Sequence, residues 1–258
     1  MSSFSAVDRS VDPYALVRFL DAAADAESGM KHYAGAAHAR RREPGAILDL
    51  GCGAGHDLTV LAGFGLTTVG IDPSAVMLEA AGPRATASGS PLVRAVGEAL
   101  PFGRDVFAGC RIERVLMHVA DPSAVLAEAV RCLRPGGLVT ICEPDWSAFR
   151  VTSDVLPHRA GWINPARHPD VGGRLWNLLE QAGCDVVDRV EELSVWRSLA
   201  TLRMVTGFPH AVDLAVAGGR VDGAQAERWV AEQGQREAAG TFHALLPKIL
   251  LVAVKRAD

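Results

Sequence analysis

Short apolar runs alternate with segments of helical spacing along most of this chain. The runs have the length of buried strands, and the segments between them repeat their apolar residues every three or four positions. Alternation of this kind predicts a parallel sheet with helices on both faces. The predicted strands are 46–50, 67–71, 92–96, 108–112, 137–142, 185–190 and 248–254, and the predicted helices between them are 57–63, 75–81, 122–133 and 171–181.

The last two predicted strands are expected to pair antiparallel at the edge of the sheet. Residues 191–246 separate them, a stretch that is too long for a bare loop. Helical spacing over 224–235 predicts that this stretch is a helical insertion packed over the carboxyl ends of the strands.

Two helices are predicted ahead of the sheet. Asp12 and Pro13 form a typical helix start, since Asp is a preferred N-cap and Pro fits the first turn. The first helix is expected over 14–26 and the second over 30–41. We therefore divide the chain into an N-terminal helical cap, residues 1–44, and a main domain, residues 45–258.

The charge balance limits the expected partners. With 26 Lys and Arg against 30 Asp and Glu, the formal net charge is −4 at pH 7. Proteins that bind nucleic acid usually carry a basic face, and here no basic cluster exceeds the triplet at 40–42. No nucleic-acid partner is therefore expected.

Cysteine usage and hydropathy indicate the compartment. The five cysteines are odd in number and never form C-x-x-C, which favours reduced, buried thiols. No apolar run approaches the roughly 18 residues of a membrane span, and the N-terminus has no apolar signal region. We expect a soluble cytoplasmic protein without a membrane partner.

Residues 46–55, Ala-Ile-Leu-Asp-Leu-Gly-Cys-Gly-Ala-Gly, carry the strongest functional signal. A strand containing one acid, Asp49, runs into glycines at 51, 53 and 55, and a helix follows. Glycine has no Cβ, so the backbone can turn sharply and approach a ligand, and the helix N-terminus adds N–H donors. The pattern predicts a nucleotide-type cradle, and the alternative is a structural turn.

An acid for ribose hydroxyls is expected at the end of the next strand, about 20 residues further on. Asp72 stands there, followed by Pro73 and Ser74. A carboxylate can accept from both ribose hydroxyls, which selects an unphosphorylated ribose. The alternative role for Asp72 is a helix N-cap.

The glycine spacing identifies the family that the chain resembles. The pattern G-x-G-x-G, with an acid two residues ahead, resembles motif I of the class I S-adenosylmethionine-dependent methyltransferases, whereas dinucleotide sites use G-x-G-x-x-G. The resemblance covers roughly 45–193 and the final strand. It implies an α/β, Rossmann-like, doubly wound fold with a mostly parallel seven-stranded sheet, an antiparallel last strand and a helical cap. It also implies S-adenosyl-L-methionine as the cofactor.

One family feature is missing. Residues 97–102, Gly-Glu-Ala-Leu-Pro-Phe, are similar to the family segment after strand 3, where many members place an adenine-binding aspartate five residues before the proline. Val96 occupies that position here. The resemblance then implies that adenine is held by the backbone around Gly97 and Glu98, or by the Glu98 side chain.

Residues 110–122 resemble the strand 4 exit of small-molecule methyltransferases of the menaquinone/ubiquinone-biosynthesis-like type, which are common in natural-product pathways. This implies a cofactor contact through the Arg111 carbonyl, with Arg114 as a structural ion pair, and Tyr33 is expected to close over the methionine end. The alternative is an ordinary strand-to-helix connection. The cofactor residues expected are Tyr33, Asp49, Gly51, Cys52, Gly53, Asp72, Pro73, Gly97, Glu98 and Arg111.

Two residues are candidates for the methyl-transfer chemistry. A hydroxyl or amine acceptor needs a base, and His118, just past strand 4, is positioned for it if it does not instead cap the next helix. Asp145, at the end of strand 5, could orient the acceptor, and Trp146 could stack on a ring. Their alternatives are a loop carboxylate and a core tryptophan. No metal is expected, since His158 and His168 have no acid partner at ligand spacing.

The sequence favours a methyltransferase acting on a secondary metabolite or cofactor-pathway intermediate over two rival classes of protein. A short-chain dehydrogenase needs Tyr-x-x-x-Lys, but Arg18 follows Tyr14 and Ala37 follows Tyr33 at that spacing. A non-catalytic S-adenosylmethionine-binding sensor or partner module remains the alternative.

Overall fold

The strands of the computed structural model form one mixed sheet. The model describes residues 7–10, 12–23, 28–41, 44–156, 161–164 and 166–257. In this part of the chain the strands are β1 (Ile47–Leu50), β2 (Thr68–Asp72), β3 (Leu92–Arg94), β4 (Phe107–Glu113), β5 (Leu133–Pro144), β6 (Arg150–Val151), β7 (Cys184–Trp196) and β8 (Ala244–Lys255). The strand order is β3-β2-β1-β4-β5-β8-β6, and β7 also pairs with β8.

The pairing directions confirm the predicted fold. Strands β1 to β5 are parallel to one another, whereas β8 is antiparallel to both β5 and β7. The only strand that was not predicted within the described residues is the two-residue β6, which pairs with the start of β8. It is too short to show a periodic pattern.

The helices cover the faces of the sheet and its carboxyl edge. They are α1 (Pro13–Ala23), α2 (Ser28–Arg41), α3 (His56–Gly63), α4 (Ala75–Ser88), α5 (Pro122–Cys132), α6 (Val171–Gln181), α7 (Leu199–Thr206), α8 (His210–Ala217) and α9 (Gly223–Ala238). Helix α4 is longer than predicted and contains Pro83. It continues past the proline because its buried residues Met77, Ala81 and Ala85 form one apolar stripe.

The insertion is helical only in its middle. Strand β7 pairs with β8 as far as Trp196 opposite Ala244, so both strands extend into the predicted insertion. A continuous ladder pairs the backbone groups of these residues, and the helices α7 to α9 occupy the part between the strands.

The second N-terminal helix, α2, was predicted to be part of the cap. It packs instead against a face of the sheet. Met30, Ala34 and Ala37 of α2 form an apolar cluster with residues of β5 and β8, among them Leu138 and Leu250. Helix α1 instead packs beside the glycine turn, where Leu16 and Leu20 contact a cluster containing Ala54 and Met77. No helix in the described ranges is both long and apolar enough to cross a membrane.

Candidate active site

The carboxyl ends of the central strands open into a cavity of about 1140 Å³. Its walls come from the glycine turn after β1, the end of β2, the turn after β4, helices α1 and α7, and parts of β7 and β8. Ligand sites in open α/β sheets lie at this edge, and typical pockets measure about 300–1,000 Å³. The cavity is therefore large enough for two small molecules side by side.

Glycine is required at two positions of the turn for different physical reasons. Gly53 lines the cavity and has φ 51°, a left-handed conformation that a β-branched residue strains to adopt. At Gly51, a Cβ would lie 2.4 Å from Cγ2 of Val115, so this glycine allows the turn after β4 to approach. Cys52 lies between them, and burial raises the pKa of its thiol.

Asp72 lies where the ribose acid is expected. Its carboxylate lines the cavity and accepts from the Gly53 N–H at 3.1 Å and the Ser74 N–H at 2.9 Å. The N-cap of α4 is Ser74, whose hydroxyl accepts from the Met77 N–H, so Asp72 is not used as the cap. Pro73 also lines the cavity. Burial raises the pKa of Asp72.

Asp8 is a residue of this region that the sequence did not indicate. Its carboxylate accepts from the Ala75 N–H at 3.0 Å and the Ser74 hydroxyl at 2.5 Å, and it pairs with Arg94 at 3.1 Å. These bonds hold the N-terminal segment against the start of α4, and Val7 reaches the cavity wall. Because the partners lie 66 to 86 residues along the chain, no local pattern could have revealed them.

The segment after β3 supplies the wall proposed for adenine. Val96, Gly97 and Glu98 all line the cavity, and Val96 is 49% exposed. Glu98 Oε1 accepts from the Ala120 N–H at 3.0 Å. This bond ties the segment after β3 to the residues that precede α5.

Arg111 and Asp49 do not line the cavity, so the geometry supports neither the cofactor contact predicted for Asp49 nor the one predicted for the Arg111 carbonyl. The guanidinium of Arg111 is 2% exposed and pairs with Asp57 at 2.5 Å, with Asp49 at 3.7 Å and with Glu113. Burial raises the pKa of Asp49 to about 7, against the opposing charge of Arg111. Arg111 is thus the centre of a buried ion-pair network, whereas Arg114 lines the cavity and makes the ion pair predicted for it, with Nε 3.8 Å from Glu113 Oε1.

Lys31 of α2 completes this network and was not predicted. Its ammonium lies 3.1 Å from Asp57 and 3.7 Å from Glu113, and all three residues reach the cavity wall. Burial alone would raise the pKa of Asp57, but Arg111 and Lys31 hold it well below its usual range. The floor of the cavity is therefore a fixed arrangement of opposite charges.

Tyr33 lies elsewhere, so the prediction that it closes over the cofactor is wrong. Its hydroxyl donates to the Asp188 carboxylate of β7, and the Arg40 guanidinium lies 5.5 Å from its ring centroid. Tyr33 is not among the residues that line the cavity.

His118 lies in the cavity wall as predicted from its position after β4. Its side chain is 9% exposed, and its backbone N–H donates to the Val115 carbonyl at 2.9 Å. Burial, aided by the charge of Arg114, lowers the pKa of His118 to about 3. The imidazole is therefore neutral throughout the physiological range.

Asp145 and Trp146 have separate roles. Asp145 Oδ1 accepts from the Ser147 N–H at 3.0 Å and the Ser147 hydroxyl at 2.5 Å, so it caps the 3-10 turn Trp146–Ala148. Asp145 does not line the cavity, and its predicted role as an acceptor ligand has no support in this geometry. Trp146 does line the cavity and packs edge-on against Phe149, so it is also a core residue.

Cationic and apolar side chains surround the half of the cavity away from the glycine turn. The cations are Arg114, Arg167, Arg197 and Lys248, and the apolar residues include Trp146, Leu193, Trp196, Met204 and Leu246. Glu192 pairs loosely with Lys248 at 4.0 Å.

Of the two histidines considered as metal ligands, only His168 lies in the described part of the chain. His158 lies outside the described residues, and His168 Nε2 is 3.1 Å from the Val119 carbonyl. In the described part of the chain no group of three or more His, Cys, Asp or Glu could hold a metal ion.

Comparison with known proteins agrees with the fold and the glycine turn. A family model described as "Methyltransferase domain" matches residues 48–141. An uncharacterized 37.1 kDa protein in transposon TN4556 of Streptomyces fradiae is 32% identical over 249 residues, which cover 92% of this chain and 70% of that protein.

In two further comparisons this chain spans a smaller share of the other protein. An uncharacterized methyltransferase of Mycobacterium avium (strain 104) is 37% identical over 100 residues, 39% of this chain and 40% of that protein. The Haemonchus contortus phosphoethanolamine N-methyltransferase 2, solved in complex with S-adenosyl-L-methionine, has a TM-score of 0.50 at 18% identity, covering 87% of this chain and 53% of that chain. At this identity the likeness shows the fold alone.

Proposed function

Since the chain belongs to the class I S-adenosylmethionine-dependent methyltransferases, we propose that it methylates the hydroxyl of an apolar small molecule. The observation that carries this proposal is the position of neutral His118 in a cavity that is also lined by seven of the ten residues predicted to bind the cofactor, Gly51, Cys52, Gly53, Asp72, Pro73, Gly97 and Glu98. The menaquinone/ubiquinone-like subtype and a role in secondary metabolism rest on the sequence resemblance.

The cavity residues fit S-adenosyl-L-methionine. The backbone at Gly53 is open to the cavity without a Cβ, and Asp72 presents a carboxylate for the ribose hydroxyls. Gly97 and Glu98 would border the adenine, and the charged floor of Lys31, Asp57 and Glu113 suits a zwitterionic methionine end. When bound, the cofactor supplies an electrophilic methyl group on a sulfonium.

His118 would orient the acceptor and take its proton. A neutral imidazole nitrogen accepts a hydrogen bond from a hydroxyl, and the bond fixes the direction of the oxygen lone pair. Its low pKa makes His118 a weak base in the resting site. A weak base is sufficient for a hydroxyl acceptor, because the hydroxyl proton becomes strongly acidic as the oxygen forms its bond to the methyl carbon. An ammonium acceptor would hold its proton too tightly for this histidine.

The charges of the acceptor half also favour a neutral or anionic acceptor. Arg114, Arg167, Arg197 and Lys248 line it, against two carboxylates, Glu192 beside Lys248 and Glu113 beside Arg114. This excess of positive charge opposes an ammonium substrate. The aromatic residues Trp146 and Trp196 provide an apolar surface for a ring or an alkyl chain.

A methyl-transfer screen tests the proposal. The purified protein is incubated with methyl-labelled S-adenosylmethionine and matched panels of phenols, hydroxy acids, amines, RNA and protein, and S-adenosylhomocysteine is measured. We expect product with hydroxyl acceptors and the label on oxygen. Label on amines, RNA or protein would overturn the acceptor class. Cofactor binding without turnover in any panel would favour a non-catalytic sensor or partner module.

A further inference from the structure

The turn that follows β4 has an unusual backbone. Arg114, its first residue, has φ 54°, a left-handed conformation that non-glycine residues rarely adopt. The turn brings Arg114, Val115, Met117 and His118 to the cavity wall. A strained segment of this kind persists only where its surroundings fix it.

Glu143 lies directly behind this turn. Its side chain is 0% exposed, and Oε1 accepts from the Val115 N–H at 2.8 Å and from the Leu116 N–H at 2.6 Å. One carboxyl oxygen thereby satisfies two consecutive backbone donors, which would be costly to leave unpaired. The other oxygen, Oε2, is buried and makes no hydrogen bond within the described part of the chain.

The same turn touches both halves of the cavity. On one side Val115 packs against Gly51, where no Cβ could be accommodated. On the other side the Met117 carbonyl accepts from the N–H groups of Arg167 and His168, at 2.9 and 3.1 Å. A displacement of the turn after β4 would therefore move both Val115, which packs against the glycine turn, and His118.

We propose that Glu143 is a positioning residue, whose carboxyl group clamps the turn after β4 so that Val115 supports the cofactor half and His118 faces the acceptor half. Glu143 does not line the cavity, so it acts through the turn and not on a ligand. The inference rests on the proposed assignment of the cavity to S-adenosylmethionine. It adds a residue of β5 to a site that the sequence indicated mainly through β1, β2 and β4.

The test separates the hydrogen-bond acceptor from the buried volume. Glu143→Leu and Glu143→Ala remove the acceptor, whereas Glu143→Gln keeps a carbonyl oxygen in a side chain of the same size. Thr140→Val is the matched control, because Thr140 is a buried polar residue of the same strand that bonds to His38 instead of the turn. Amide hydrogen exchange at Val115 and Leu116 is measured by NMR, and S-adenosylhomocysteine affinity by calorimetry.

We expect exchange at Val115 and Leu116 to be at least tenfold faster in the Leu and Ala variants than in the wild type, with affinity weakened about fivefold or more. Gln and the Thr140→Val control should stay within about threefold on both measurements. Retained protection in a folded Leu or Ala variant, or unchanged affinity, would overturn the proposal. Neither measurement requires a methyl-acceptor substrate. Failure of the proposed function would therefore be distinguishable, because the wild type would bind S-adenosylhomocysteine but transfer no methyl group.

Discussion

Arg111 of β4 and Asp57 in the first turn of α3 form a buried ion pair beneath the glycine turn, with Nη1 2.5 Å from Oδ2. The pair joins the central sheet to the helix that begins at the glycine turn. Lys31 approaches the same aspartate from α2. The glycine turn is therefore supported by fixed charges as well as by its own backbone.

Removal of Arg111 should be strongly destabilising. Arg111→Met would leave Asp49, Asp57 and Glu113 with Lys31 and, 3.8 Å from Glu113, Arg114 as the neighbouring cations, and breaking a buried pair costs about 3–5 kcal/mol. Urea denaturation measures the loss. Arg189→Met, which removes an exposed pair with Glu191, is the control and should cost less than about 1 kcal/mol. A loss below 1 kcal/mol for Arg111→Met would show that the network contributes little.

The ribose assignment predicts a specific loss of cofactor affinity. Asp72→Asn removes the charge from hydrogen bonds worth about 1.5–3 kcal/mol each, so S-adenosylhomocysteine should bind at least about tenfold more weakly. Asp188→Asn, an exposed aspartate that pairs with Tyr33, should bind normally. Equal calorimetric affinities for the two variants would remove Asp72 from the site.

His118 should affect turnover and not cofactor binding. His118→Asn is expected to lower the methyl-transfer rate by about 10² while affinity for S-adenosylhomocysteine stays nearly unchanged. His210→Asn, at an exposed position at the start of α8 and outside the cavity wall, is the control. The wild-type rate should show no inflection from His118 between pH 5 and 8, because a pKa of about 3 keeps the imidazole neutral there. The histidine would not be the proton acceptor if the variant turned over within threefold of wild type.

Glu143 should make stability depend on pH. Burial raises its pKa to about 8, against the usual 4.5, although backbone N–H groups oppose the shift. The folded state then binds this proton more tightly than the unfolded state, so the contribution is full below pH 4.5 and is lost as the pH rises to about 8.

Glu143→Gln lacks this ionisation. Its free energy of unfolding relative to wild type should rise between pH 5 and 8, with a limiting slope of about 1.4 kcal/mol per pH unit. Urea denaturation at both pH values measures the difference. A relative stability that does not change with pH would show that Glu143 ionises in the folded protein as it does in the unfolded chain.

The fold and the cofactor side of the site, formed by the glycine turn and Asp72, could be predicted because their sequence signals are local. The glycine turn and Asp72 each follow a strand within a few residues. The strands themselves were predicted from short apolar runs between segments of helical spacing. The backbone conformation could not be predicted in the same way, since the left-handed φ of 51° at Gly53 is visible only in the folded turn.

The errors come from long-range packing. Helix α2 is rich in alanine and weakly patterned, so its sequence did not show that Tyr33 would face β7 and that Lys31 would face the cavity. Arg111 did carry a signal: a charge inside a buried parallel strand requires an opposite charge nearby. The partner Asp57 could not be named before the strand and helix were placed together.

Direct titration of the wild-type protein with S-adenosylmethionine tests the central claim, that the cavity at the carboxyl ends of the strands is a methyl-donor site. Calorimetry is performed with S-adenosylmethionine and, in parallel, with NADH. We expect one saturable site with a dissociation constant in the micromolar range, typical of enzyme ligands, and no comparable binding of NADH. No saturable binding of S-adenosylmethionine, or tighter binding of NADH, would contradict the account.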